Sequence, residues 1–144
     1  MMDLAHEQMQ DVYAQRGLNI PVQGSSTLQA IKPGSSVSLS DLARDLGQSH
    51  QLVAQRLRKL ESRRLVYRAA DPTDGRKTLY TLTAEGERTW RLLDETMALA
   101  TRMNSDLFSE IGVDLVAALD DAIARLHVRN MSTRFADLDA PAPD

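Results

Sequence analysis

The residues of this chain best suited to chemistry on a partner lie close together. Gln51, Ala54, Gln55 and Arg58 recur at helical spacing and share one side of a helix, while Val53, Leu57 and Leu60 share almost the opposite side. A glutamine amide pairs bidentately with adenine, an arginine guanidinium pairs with guanine, and alanine is small enough to meet a thymine methyl. Ser49 and His50 open this helix. The serine oxygen can accept from a free amide of the first turn. The imidazole suits a phosphate or base edge and plain solvation equally well. Arg56, Lys59, Arg63 and Arg64 flank the polar face as candidate phosphate contacts, which position a protein on a duplex without reading its sequence. By angle, Arg64 falls toward the apolar side and marks the helix end. The rival reading of the same pattern is a solvated face on an ordinary helical hairpin.

Catalytic chemistry finds no such grouping. Glu85 and Glu87 sit two apart on a helix and diverge, so they form no acid–base pair. No serine has a base at a recognisable spacing, and there is no glycine-rich phosphate loop. Cysteine is absent, which excludes disulfides, thiolate metal sites and thiol oxidation sensing. His6 and His127 have no ligand spacing around them, so neither a metal nor a cofactor is implied.

The elements that must position the polar face can be read from the chain. Ser38 caps a helix whose apolar side is Leu39, Leu42, Ala43 and Leu46, with Asp41 in its first turn. Gly47 stops it, because glycine enters the left-handed backbone region freely. Ser49 begins the next helix, and the pair has helix-turn-helix geometry with the second helix as reader. Upstream, residues 1–17 carry helical periodicity through Leu4, Met9, Val12 and Tyr13, ended by Gly17. A second short helix from Pro21 to about Ile31 turns Leu28 and Ile31 inward, and Pro33–Gly34 is a turn. Ser36–Ser38 is a short edge strand. Downstream, Leu65–Arg68 and Leu79–Leu82 are short runs rich in Val, Tyr, Leu and Thr around Pro72, Asp74 and Gly75. They predict a β-hairpin with a long polar tip carrying Arg76 and Lys77, its residues alternating between a buried and a solvated face. Thr83 caps a helix running to about Asn104, with Trp90, Leu93, Met97, Ala100 and Met103 inward. A break at Ser109 or Gly112 precedes a last helix from Val113 to about Arg129, carrying Leu115, Val116, Leu119, Ile123 and Leu126. The tail after Phe135 holds two prolines and three aspartates and is expected to be disordered.

The net charge of −3 alone argues against a nucleic-acid partner, but its distribution argues for one. Residues 32–91 hold twelve Lys/Arg and seven Asp/Glu, whereas the remainder holds five and thirteen. A basic stretch on an acidic chain is still an electrostatic footprint. The acidic, polar N-terminus is no secretory signal and no apolar run reaches membrane length, so a cytoplasmic protein without membrane association is expected.

Taken together, LARDLG, RLRKLESRRLVYR, DPTDGR and LTAEG resemble the MarR family of winged-helix regulators, over about Val37 to Leu92. The resemblance implies a homodimer of winged helices on a palindromic DNA operator, acting more often as a repressor. It also implies release by a small aromatic or anionic effector bound between the dimerisation and DNA-binding regions. By position, Ser49 to Arg58 would read bases, Arg76 would enter the minor groove, and Asp74 would orient it. Gly75 departs from the pattern, since many relatives have arginine there, and makes the wing less basic. Tyr13 and Trp90 are candidate effector-pocket residues, although a lone tryptophan on an apolar face is more often core.

The expected fold is therefore mainly α with a small antiparallel β-hairpin, a winged helix-turn-helix with flanking dimerisation helices. The expected division is an N-terminal dimerisation segment at 1–20 and a DNA-binding domain at 21–92. Dimerisation helices at 93–134 and a tail at 135–144 follow. The alternative function is a protein-docking winged helix, whose third helix should then be more apolar and aromatic.

Overall fold

The computed structural model describes residues 2–139, without the side chains of Met2 and Asp3. Met1 and most of the expected tail, 140–144, lie outside the described residues. The chain divides into two compact units, Met1–Ala98 and Leu99–Asp144.

The first unit begins with helix α1, Met2–Gln15, which ends before Gly17 at φ 75°. A short 3-10 turn, Val22–Gly24, leads into helix α2, Ser25–Ala30. Strand β1, Ser36–Ser38, is followed by helices α3, Leu39–Asp45, and α4, His50–Ser62. Strands β2, Val66–Ala70, and β3, Thr78–Leu82, form the hairpin, and helix α5, Ala84–Glu110, follows. The antiparallel sheet has the order β1-β3-β2, with Val37 opposite Tyr80 and Tyr67 opposite Thr81. The order makes Ser36–Ser38 an edge strand, as expected.

One core serves this unit. Tyr13, Leu18, Ile20, Leu28, Ile31, Leu42, Val53, Leu57, Leu60, Val66, Leu82 and Leu93 are buried in it. Each large aliphatic side chain so enclosed contributes roughly 1.5–3 kcal/mol relative to exposure. Several expected inward residues lie elsewhere. Leu4 and Val12 are exposed on α1, whose described side chains turn Tyr13 and part of Met9 to the core. The hairpin does not alternate cleanly at its start, since Leu65 and Val66 are both buried. Leu65 closes the end of α4 through its own N–H to the Leu60 carbonyl, while Val66 begins the strand.

The second unit contains the distal part of α5, helix α6, Leu115–Val128, and helix α7, Met131–Asp139. Helix α5 runs past the expected end near Asn104, and the break falls at Gly112, φ 69°. Asp114 caps α6 by accepting from the Ala117 N–H at 3.0 Å. Helix α7 corrects the expectation of disorder from Phe135 onward. Asn130 caps it, accepting from the Thr133 N–H at 2.9 Å. Phe135 and Leu138 repeat from Met131 at helical spacing, a pattern obscured by the aspartates among them. Neither α6 nor α7 has a buried residue, and Met103, expected inward on α5, is 49% exposed.

Candidate nucleic-acid interface

The interface is built from the turn outward. Ser38 Oγ accepts from the Asp41 N–H at 3.1 Å and donates to Asp41 Oδ2 at 2.7 Å. This differs from a full capping box, in which the acid returns to the cap's backbone N–H. With Arg44 beside it at 2.8 Å, the Ser38 hydroxyl holds the Asp41 carboxyl below its ordinary pKa. Gly47 then takes φ 60°, and the Gln48 N–H closes back on the Ala43 carbonyl at 2.9 Å. Ser49 Oγ accepts from the Leu52 N–H at 3.3 Å and opens α4.

Helix α4 separates as its sequence requires. Val53, Leu57 and Leu60 are buried against α2, α3 and the sheet, while Gln51, Gln55 and Arg58 are exposed and Ala54 is half-buried between them. His50 is exposed at the first helical position. Among the described residues, neither Arg58 nor Lys59 has an ion-pair partner, so both guanidinium and ammonium are available. Arg56 behaves differently: its Nη1 donates to Gln48 Oε1 at 2.6 Å and ties the helix to the turn. Arg63 is exposed at the far end of α4, its guanidinium bonded to the Asn19 carbonyl. Arg64 sits at φ 59°, the one non-glycine residue with positive φ among those described, so it does mark the helix end.

The hairpin tip is organised by a residue that the sequence reading passed over. Asp71 Oδ1 accepts from the Thr73 N–H at 2.8 Å, the Thr73 hydroxyl at 2.7 Å and the Asp74 N–H at 3.4 Å. These bonds, the Thr73 hydroxyl first, pull the Asp71 carboxyl below its ordinary pKa. Aspartate followed by proline is a turn signature with this mechanism and was the available signal. Asp74, the candidate wing-supporting residue, bonds the backbone of the tip: its Oδ1 accepts from the Arg76 N–H at 3.2 Å, while Oδ2 faces Lys77 Nζ at 3.9 Å. The Arg76 side chain itself is exposed and unpaired among the described residues.

Tyr13 and Trp90, the candidate effector-pocket residues, each hydrogen-bond to α2. The Tyr13 hydroxyl is buried and shares a 2.8 Å hydrogen bond with Ser25 Oγ. The Trp90 indole N–H donates to the Gln29 carbonyl at 3.1 Å. Neither side chain lines the cavities of about 480, 380 and 310 Å³ among the described residues. Each hydroxyl or N–H needs a partner once its ring is packed, and α2 supplies one for each.

A MarR family model matches residues 19–77, the segment from the loop before α2 to the wing. Over that segment the chain is similar to the MarR family. The chain has a winged helix-turn-helix with flanking helices, an architecture similar to that of DNA-binding transcription regulators. The repressor CouR, solved on a 23-mer DNA duplex, is 25% identical at TM-score 0.62, covering 85% of this chain and 83% of its own. The PcaV transcriptional regulator from Streptomyces coelicolor, in complex with its natural ligand, is 25% identical at TM-score 0.59, covering 88% and 90%. A probable transcriptional regulator from Pseudomonas aeruginosa shares the fold at 21% identity and TM-score 0.62, covering 87% and 92%. No curated protein matches the chain. Among the described residues, no helix is long and apolar enough to cross a membrane and no metal-ligating cluster forms.

Proposed function

We propose that this chain is a MarR-family protein, a sequence-specific repressor that binds an inverted-repeat operator as a homodimer and is released by a small organic ligand. The observation that carries the reading is the exposed face of α4. Gln51, Gln55 and Arg58 are held outward by a buried row behind them, on a helix capped at Ser49. Amides and a free guanidinium read base edges in a major groove. A protein-docking helix would instead present apolar and aromatic side chains. Ser49, His50, Lys59, Arg76 and Lys77 complete the proposed contact, with Arg76 entering the minor groove, where focused negative potential favours arginine.

The dimer is supported by the second unit, in which Val116, Leu119, Ile123, Phe135 and Leu138 are all more than half exposed. Such an apolar surface needs a partner, and a two-fold dimer would present two reader helices about one DNA turn apart. Repression and ligand release are supported by the similarity to MarR-family regulators. CouR is a transcriptional repressor and PcaV has a natural ligand, an aromatic or anionic compound being the class proposed here.

The test begins with selection of bound duplexes from a random pool. Affinities for the winner and its single-base variants are then measured at several salt concentrations. Gln55→Ala should reorder the duplexes while leaving the salt slope nearly constant. Arg76→Ala should weaken binding by about 1–3 kcal/mol. If Gln51→Ala, Gln55→Ala and Arg58→Ala all keep the wild-type ranking, α4 is not the reader and the docking alternative takes its place.

A further inference from the structure

The loop between α1 and α2 is gripped from both sides. From α1, the Gln10 amide donates to the Ile20 carbonyl at 3.2 Å, and its oxygen accepts from the Val22 N–H at 3.1 Å. From the opposite side, Arg63 at the C-terminal end of α4 donates through Nη1 to the Asn19 carbonyl, with Asn19 Oδ1 3.4 Å away. The loop between these grips is not free to follow either one alone. Leu18 and Ile20 are buried in the core, and Gly17 makes its bend at φ 75°. A cavity of about 380 Å³ lies alongside, lined by Gln10, Asn19 and Arg63 among others. Gln10, residues 19–22 and Arg63 thus form one polar strap from α1 to the end of α4.

We propose that Arg63 is a positioning residue that sets the reader helix relative to α1, and not a phosphate contact. This rests on the dimeric DNA-binding reading above. Three observations carry it. The guanidinium is already engaged in the absence of DNA. It lies about 140° round the helix from Arg58, at about 100° per residue, away from the reader face. It also sits where the helix dipole holds a cation at the C-terminus, so its station needs no nucleic acid. Its planar fork suits a carbonyl approached at a fixed angle, which a point charge would not require. A two-fold operator is matched only if both reader helices keep a set separation. A strap between α4 and α1, a segment proposed to join the dimer contact, therefore governs half-site spacing and leaves base preference alone.

The experiment uses the full chain, the selected operator, and versions of it with the half-sites moved by one or two base pairs. Wild type, Arg63→Ala, Arg63→Gln and Gln10→Ala are compared across a salt series. Arg63→Ala and Gln10→Ala should each reduce the preference for native over shifted spacing about fivefold, the scale of one hydrogen bond. Base ranking and salt slope should stay at wild-type values. Arg63→Gln, which keeps a donor and loses the charge, should recover part of the preference. Gln10→Ala involves no charge and carries the test if Arg63→Ala loses its fold. A salt slope lowered by about one unit in Arg63→Ala, with spacing preference intact, would overturn the inference in favour of a phosphate contact. Unchanged spacing preference in both alanine variants would also overturn it. A wild-type protein that selects no duplex defeats the DNA-binding reading itself, a result separate from either of these.

Discussion

Two buried hydroxyls in the first unit meet opposite fates. Tyr13 is fully enclosed, yet its O–H finds Ser25 Oγ at 2.8 Å. Thr27, equally enclosed on α2, has an Oγ1 without a partner among the described residues. A buried polar group left unsatisfied costs about 1–3 kcal/mol, and a made bond is worth about 1 kcal/mol. Thr27→Val should therefore raise stability by about 1 kcal/mol, and Tyr13→Phe should lower it by a similar amount by stranding the Ser25 hydroxyl. Equilibrium denaturation in urea checks both, and a destabilised Thr27→Val would show that the hydroxyl has a role in the fold. Burial also pushes the Tyr13 phenol above its ordinary pKa of 10.0, outweighing the Ser25 bond. Its contribution is thus present below pH 10 and is lost as pH rises through the folded value. Tyr13→Phe should flatten that alkaline limb of the stability profile.

The elements are joined at two places that single residues control. The first is the start of α5. Thr83 Oγ1 accepts from the Gly86 N–H at 2.9 Å and donates to the Arg64 carbonyl at 2.7 Å, while the Thr83 N–H reaches the Leu65 carbonyl at 2.9 Å. A Cβ on Gly86 would stand 1.9 Å from that Leu65 oxygen. Gly86→Ala should cost about 3 kcal/mol, because backbone and not a flexible side chain must give way. A melting temperature within a degree of wild type would refute the close approach. The second place is the wing tip. Asp71 holds three donors as a carboxylate, and its pKa is depressed in the fold. The tip's stability is accordingly present above the ordinary value of 3.8 and lost as pH falls through the lower folded value. The Thr73 amide resonance should move in that acid range, and Asp71→Asn should shift it at neutral pH. A Thr73 amide indifferent to both changes would mean that the tip is held by its backbone alone.

At the scale of the whole molecule, the second unit has no buried core among its described residues. None of α6 or α7 is buried, and the apolar stripe of α6 is solvent-facing in a single chain. Ordering a helix costs conformational entropy that an exposed stripe cannot offset. A second copy is the proposed source of the missing contacts. Replacing Leu119 and Ile123 together by aspartate should yield monomer or loss of the α6 helix, read by sedimentation and circular dichroism. A wild-type chain that sediments as a stable monomer at micromolar concentration would refute the dimer.

The local features were legible in the sequence because each depends on a few neighbouring residues. The caps at Ser38, Ser49 and Thr83, the turn at Gly47, and the division of α4 between Val53–Leu57–Leu60 and Gln51–Gln55–Arg58 are matters of short-range geometry. So was the hairpin, since Pro72, Asp74 and Gly75 permit little else. Tertiary structure alone decided which donors were already engaged. Arg63 reads as one more basic residue on a helix until the loop at Asn19, distant in sequence, is folded beside it. Arg56 is likewise indistinguishable from Arg58 by type, and only packing against the turn gives it Gln48. Packing likewise gives Tyr13 its Ser25 partner and Trp90 its Gln29 partner, both on α2. Side-chain chemistry is written in residue type, but a side chain's freedom to act depends on what long-range packing brings within hydrogen-bond distance.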